Sequence, residues 1–387
     1  MRGYLDLARQ PGLLNITAAQ LFARLPQGML SLAILIHVHA LTGSYGVAGA
    51  VVACVSVGES VVVPFTSRLT GILGVAPTLI AAAVTNCVAM VFLAFAPPNS
   101  ALMVILGLLI GVSVPPVASV VRAVYPQLVP DTVLPTLFAV DATAQELIWI
   151  IGPVAATLLA SALWTALPLI ATASITITGT VWFLTSPRLR GTHIPRTEAG
   201  FGRVLAGQAM ILAMAASFAL VASFTALEVA IIAQHNHNGV LAGILLALSG
   251  FGSLVGGVLL GHRRLGVAGL VAILAVVTVG TALSGVVVGP VLQSVALFFA
   301  GVGFAPALST FYLTVSSEVA KHAAAEAFGW LTTAALVGAA AGTGLAGVAS
   351  DAYGPAGAFV AATLMALAAA VSPVIARSAG PIRGLSA

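Results

Sequence analysis

Ionisable side chains are scarce in this 387-residue chain: Asp, Glu, Lys and Arg make up 6% of it, against about 25% in an average soluble domain. Whole stretches carry none, from Arg68 to Arg122, from Glu146 to Arg188 and from Arg264 to Glu318. With 60% hydrophobic residues, a soluble globule could not cover itself with polar surface. That excludes an ordinary water-soluble fold. Cysteine is nearly absent too. Cys54 and Cys87 both sit in apolar runs, so neither a disulfide framework nor a cysteine metal site is indicated. Phosphate loops, Gly-x-Ser-x-Gly and His-Glu-x-x-His are missing, and no polar segment is large enough to hold ATP. A self-contained ATP-driven pump is therefore excluded, and with no catalytic constellation an enzyme is not expected. The net charge of +4 is a matter of topology, not of nucleic acid.

What is present is long apolar runs. A helix rises 1.5 Å per residue, so a hydrocarbon layer of about 30 Å asks for roughly 20 apolar residues per crossing. Breaks at polar, Gly and Pro residues predict twelve spans, at 12–36, 46–66, 76–96, 100–124, 138–160, 165–185, 206–233, 240–261, 266–286, 291–315, 324–348 and 356–376. The first apolar run is too long for a cleaved signal, and it is read as the first span. The runs are continuous instead of alternating, which disfavours a barrel. With the N-terminus inside, the cytoplasmic segments hold thirteen of the fourteen basic residues, and Arg24, inside the first span, is the exception. The expected architecture is an all-α polytopic membrane protein with both termini cytoplasmic, in the inner (plasma) membrane.

Residues 186–203 (SPRLRGTHIPRTEAGFGR) form the longest polar stretch, and they follow the sixth span. This predicts a six-helix bundle over 1–186, a linker loop over 187–204 and a second bundle over 205–387. The two halves repeat one another. Val47-Ala48-Gly49 with Gly58-Glu59 matches Leu241-Ala242-Gly243 with Gly252-Ser253. Gly111, Pro116 and Ser119 recur at the same spacing as Gly301, Pro306 and Ser309. His37-Val38-His39 and His235-Asn236-His237 end the first and seventh spans alike. Such duplication marks transporter folds built from repeats.

On these features the chain resembles the major facilitator superfamily along essentially its whole length. The family's loop between spans 2 and 3 carries Gly-x-Leu-x-Asp-Arg-x-Gly, a cytoplasmic latch. Here Leu69 and Gly74 match, while Gly71 and Ile72 replace the charged pair. Gly152-Pro153 in span 5 partly matches the family's drug/proton antiporters, and Arg122-Ala123-Val124-Tyr125-Pro126 resembles a group of bacterial permeases in it. The resemblance implies alternating access, with spans 1, 4, 7 and 10 lining the path. It therefore places Gln20, Arg24 and Gln27, Ser113 and Ser119, Glu228, and Ser309 and Tyr312 at the substrate cavity. It places Arg68, Gly74, Arg122, Asp141, Lys321 and Glu326 at the cytoplasmic gate.

An ionised group at mid-membrane costs roughly 2.5–3.5 kcal/mol on insertion scales, so such groups pair, line water or work. Arg24, Glu59, Glu146 and Glu228 are the candidates for proton coupling. Arg24 and Glu59 could equally form a static ion pair, and Glu146 could pair with Arg24. Asp141 is expected to pair with Arg122, and Glu326 to act with Lys321. The His-x-His pairs point about 200° apart on a helix, poor geometry for a metal, and no metal or cofactor is expected. Gly342-x-Gly344-x-x-Gly347 fits a dinucleotide pattern but lies in an apolar helix; with Gly107…Gly111, Gly252…Gly256 and Gly338…Gly342 it reads as close helix packing. Asn15-Ile16-Thr17 lies in a span, so it is no glycosylation site. The partners expected are a small-molecule substrate, protons and the bilayer, around a single copy of the chain, with no nucleic acid. The leading expectation is proton-coupled export of a lipophilic or amphipathic molecule. The alternatives are uptake by symport or facilitation, and a non-transporting receptor or scaffold.

Overall fold

The computed structural model describes Leu7 and residues 10–378, apart from 163, 191, 193–199, 236–237, 262 and 264. His237, Arg2, Arg9, Arg196, Arg264 and Arg383 lie outside the described residues, as does the side chain of Arg377. Among the described residues, twelve helices are long and apolar enough to cross a membrane. They are span 1 (Leu13–Thr42), span 2 (Tyr45–Ile72), span 3 (Val75–Ala94), span 4 (Ser100–Val112 with Val117–Leu128), span 5 (Leu134–Ala162) and span 6 (Leu167–Thr185). The second set is span 7 (Gln208–Gln234), span 8 (Gly239–Leu260), span 9 (Val267–Val286), span 10 (Pro290–Val302 with Phe304–Glu318), span 11 (Ala324–Tyr353) and span 12 (Pro355–Ser378). All twelve expected spans are there. Several run a turn or more longer than composition suggested, because polar residues such as His37, Ser67 and Thr70 are helical and buried within them.

The chain's turns have clear local causes. Asn99 and Asn238 each accept a hydrogen bond from the backbone three residues on, capping spans 4 and 8. Gly43 and Gly354 turn out of spans 1 and 11 at positive φ. Span 4 breaks at Pro115-Pro116, which lack backbone donors, and resumes at Val117. Span 10 breaks at Gly303. Pro306 then sits in the first turn of the second piece, where an N–H would have no intrahelical partner.

The repeat is visible in the packing. In the first half span 1 packs on spans 5 and 6, span 2 on span 4, and span 3 on spans 4 and 6. Adding six to each number gives the second half: span 7 on spans 11 and 12, span 8 on span 10, and span 9 on spans 10 and 12. Glycines make these crossings close. A side chain at Gly107 or Gly111 would strike the backbone of span 2 at Val51 and Val55. Gly252 and Gly256 meet the backbone of span 10 at Phe298 and Val302 in the same way. Gly338 and Gly342 lie against Phe218 and Ala222 of span 7. Small-xxx-small pairs thus bring backbones together where lipid offers no hydrophobic drive between helices.

An even number of crossings returns the chain to its starting side, so the start of span 1, the end of span 6, the start of span 7 and the end of span 12 share one side, the linker side. There the first half is tied together by Arg188, which donates to the carbonyls of Pro11 and Leu128 at 2.7 and 3.1 Å. A cation at the carbonyl end of a helix is well placed. The two halves meet mainly through spans 2 and 11, 5 and 8, and 5 and 10.

Candidate functional site

Asp141 is the centre of a buried polar cluster in the first half. Arg24 of span 1 reaches its Oδ1 at 2.6 Å, and Arg122 of span 4 reaches its Oδ2 at 2.7 Å. Gln20 accepts from Arg24 at 2.9 Å and donates to Asp141 at 3.3 Å. The Tyr125 hydroxyl donates to Asp141 at 3.2 Å. Gln145, one turn beyond Asp141, accepts from both arginines through its Oε1. Arg24, Arg122 and Asp141 are 1%, 4% and 1% exposed, so three charges are removed from water together. Taking ions out of water is costly, and the cost is met only when further hydrogen bonds fill the remaining positions. Gln20, Tyr125 and Gln145 fill most of these here, the buried Arg24 Nε being left without a partner among the described residues. Two guanidiniums against one carboxylate leave an excess of one positive charge. Tyr312 of span 10 takes part of it, its ring face 3.9 Å from the Arg122 carbon.

The Arg122–Asp141 pair is the expected one, but the other expected pairings are corrected. Arg24 joins Asp141 and Gln145, not Glu59 or Glu146. The reason is the lean of helical side chains toward their own N-terminus. Span 1 leaves the linker side, so Arg24 leans back to that side. Span 2 returns to it, so Glu59 leans the other way and accepts instead from Gln27, at 3.4 Å. Glu326 pairs not with Lys321, which is exposed, but with Arg68 of the other half at 3.2 Å. Gly74 caps span 3 at φ 97 and serves the turn between spans 2 and 3. Ser113 faces span 3: its hydroxyl donates to the carbonyl of Leu109 and accepts from Asn86. Ser119 and Ser309 are buried, and Tyr312 belongs to an aromatic plug with Phe138 and Phe328, not to an open lining.

Glu146 and Glu228 differ from every other acid in this interior. Glu146 is 6% exposed, and Glu228 is partly buried. They come from opposite halves, on spans 5 and 7, and among the described residues neither is paired with an arginine or lysine. His235, at the end of span 7, bonds to Gln293 of span 10 at 2.9 Å, and His37 bonds to Thr165 at 3.2 Å. These histidines stitch helix ends together.

On the linker side the halves are shut against each other. Thr333 of span 11 donates to the Ser60 carbonyl of span 2 at 2.6 Å, and a side chain at Gly329 would lie 2.9 Å from Pro64. Gly257 and Gly261 of span 8 lie against Thr143 and Ala139 of span 5. Phe138 stacks toward Tyr312 and Phe328 at 6.1 and 6.0 Å. A separate apolar groove of about 530 Å³, lined by Val279, Leu283, Leu292, Val295 and Phe299, lies between spans 9 and 10 and shares none of these polar groups.

Sequence reasoning missed Gln145, although it lies four residues from Asp141 and so on the same helix face. It also missed the aromatic plug, whose members are spread over three spans and carry no local signature.

The fold is shared with solved transporters of low sequence identity. The human organic anion transporter MFSD10 superposes with a TM-score of 0.76 at 16% identity, covering 94% of this chain and 99% of that one. The E. coli fucose:proton symporter gives 0.74 at 14% identity, covering 96% and 98%. A bacterial homologue of the iron transporter ferroportin, in an outward-facing state, gives 0.74 at 14%, covering 94% and 99%. A comparison with curated protein sequences finds no match. Twelve spans in a doubled six-helix pattern, with the sequence profile of the family matching residues 16–343, place this chain in the Major Facilitator Superfamily.

Proposed function

We propose that the chain is a secondary transporter that exports a lipophilic or amphipathic small molecule in exchange for protons, working as a single copy by alternating access of its two halves. The linker side then faces the cytoplasm of the inner (plasma) membrane. The gathering of basic residues there supports this orientation.

The observation that carries the reading is that Glu146 and Glu228, acids of the interior on opposite halves, are, among the described residues, not held by arginine or lysine. The acids Asp141 and Glu326 are each held by arginine in this state. A coupling carboxyl has to be charged in one step and neutral in another. Glu146 and Glu228 stand on opposite halves, so any movement of one half against the other changes their separation. One proton crossing 100 mV is worth about 2.3 kcal/mol, enough to drive a useful gradient. Glu59, with only Gln27 at 3.4 Å, is the accessory candidate. The interior is mostly apolar, and a sugar's hydroxyls would want many more polar partners than it offers. A lipophilic body fits better.

The test is flux in proteoliposomes under an imposed pH gradient, against a panel of lipophilic compounds. Glu228→Gln and Glu146→Gln should each abolish the dependence on the pH gradient while leaving exchange at equal pH. Flux in the opposite direction would select symport, and no flux for any compound would leave only the scaffold.

A further inference from the structure

The linker's end is part of the linker-side closure. Phe201 lies between the two halves, stacked on Phe65 of span 2 at 4.3 Å and tilted against Trp330 of span 11 at 5.7 Å. The Arg68 guanidinium sits over the same ring, 5.7 Å from its centre. One residue on, the Gly202 N–H donates to Glu326 Oε1 at 2.7 Å, while Oε2 of that carboxylate receives Arg68 at 3.2 Å. Gly202 has φ 75, a backbone state that glycine enters without strain. This lets the chain turn at once into the short helix Arg203–Ala206 that leads to span 7. Four groups therefore meet at one point: a cation from span 2, an acid from span 11, and a ring and an amide from the linker.

We propose that Phe201 and Gly202 form a clip that holds spans 2 and 11 together only while the linker side is shut. The clip takes the place of the Asp-Arg pair that the loop between spans 2 and 3 lacks at Gly71 and Ile72. Its parts belong to both halves, so parting the halves breaks every contact at once: the ring loses one of its aromatic walls, and Glu326 cannot keep both Arg68 and the linker amide. Phe201 is 42% exposed where it stands. Its packing comes from the two halves together, so part of it is lost when they separate. Phe201 thus acts as a positioning residue for the gate. The claim involves neither substrate nor proton, so it stands or falls apart from the export reading.

The test uses the full chain in detergent micelles, where both sides are reachable, with Cys54→Ser and Cys87→Ser as background. Single cysteines then report each side. Ser67→Cys lies inside the shut contact, against Gly329, and Ala53→Cys lies on the same face of span 2 toward the open side. Aromatic contacts of this kind are worth about 0.5–1.5 kcal/mol each. Parting the halves costs the ring one such contact, so Phe201→Ala should raise the maleimide labelling rate at position 67 roughly two- to twelvefold. It should lower the rate at position 53, since opening one side closes the other. Phe201→Tyr should restore both rates. The proposal is overturned if Phe201→Ala leaves the rate at 67 unchanged, or if both rates rise together, as they would in a merely loosened protein.

Discussion

Spans 2, 5, 8 and 11 each turn one stripe of residues toward the other half, and that stripe meets different company at its two ends. On span 2, Ser60, Pro64 and Ser67 touch span 11; three turns back along the stripe stands Gly49, with open space where a side chain would be. On span 11 the stripe runs from Gly329 and Thr333 to Gly344 and Gly347, again facing open space. On span 8, Gly261 and Gly257 are pressed on span 5, while Gly243 has nothing near it. The glycines at the shut end let backbones meet. Those at the open end give up helix stability, about 1 kcal/mol each relative to alanine, with no contact in return here. The alternating access proposed above gives them a use, in the state where this end is the closed one.

Four measurements would sharpen or break that contrast, beginning with the largest effect. Asp141→Asn should undermine the shut end from beneath, because it leaves Arg24 and Arg122 buried without a counter-charge. A loss of about 3–5 kcal/mol is expected, read as a large drop in melting temperature. Next, Gly257→Leu forces a side chain into Thr143. It should cost about 1–3 kcal/mol and raise access from the linker side in a labelling assay. The same change at the open end inverts the result. Gly344→Leu should keep or slightly raise the melting temperature. It should slow turnover by roughly tenfold or more, since its overpacking falls only on the other state. If Gly344→Leu instead melts early, the far ends are already packed and the contrast is void. The smallest effect belongs to Glu326→Gln, which keeps the hydrogen bond from Gly202 and loses the charge toward Arg68. About 1 kcal/mol is expected, and it should disappear in high salt, because Arg68 is 17% exposed.

The fold was nearly all legible in the sequence, since lipid demands long apolar helices and punishes anything else. Even the crossings were marked, because Gly107, Gly111, Gly252 and Gly256 stand where backbones must touch. The site was legible as a set of residue types and illegible as a set of pairs. Arg24 and Glu59 look like neighbours by depth, yet opposite helix directions send their side chains apart. Gln145 was hidden by its plainness beside Glu146, and Phe201 by lying in a polar loop. Whether an acid is braced or idle depends on which face its helix turns to a partner, and this is decided by packing between helices far apart in sequence.

Spans 4 and 10 are each two rods, not one. The rod Ser100–Val112 is seated on span 2 through Gly107 and Gly111, whereas Val117–Leu128 is almost wholly buried with Arg122 in the plug. A proline pair with no donors joins them, and Gly303 is the matching joint in span 10. At each joint the backbone hydrogen-bond ladder is interrupted, so the upper rod can tilt against the lower one. Parting of the halves therefore need not carry spans 4 and 10 as stiff rods; each can bend at one fixed elbow.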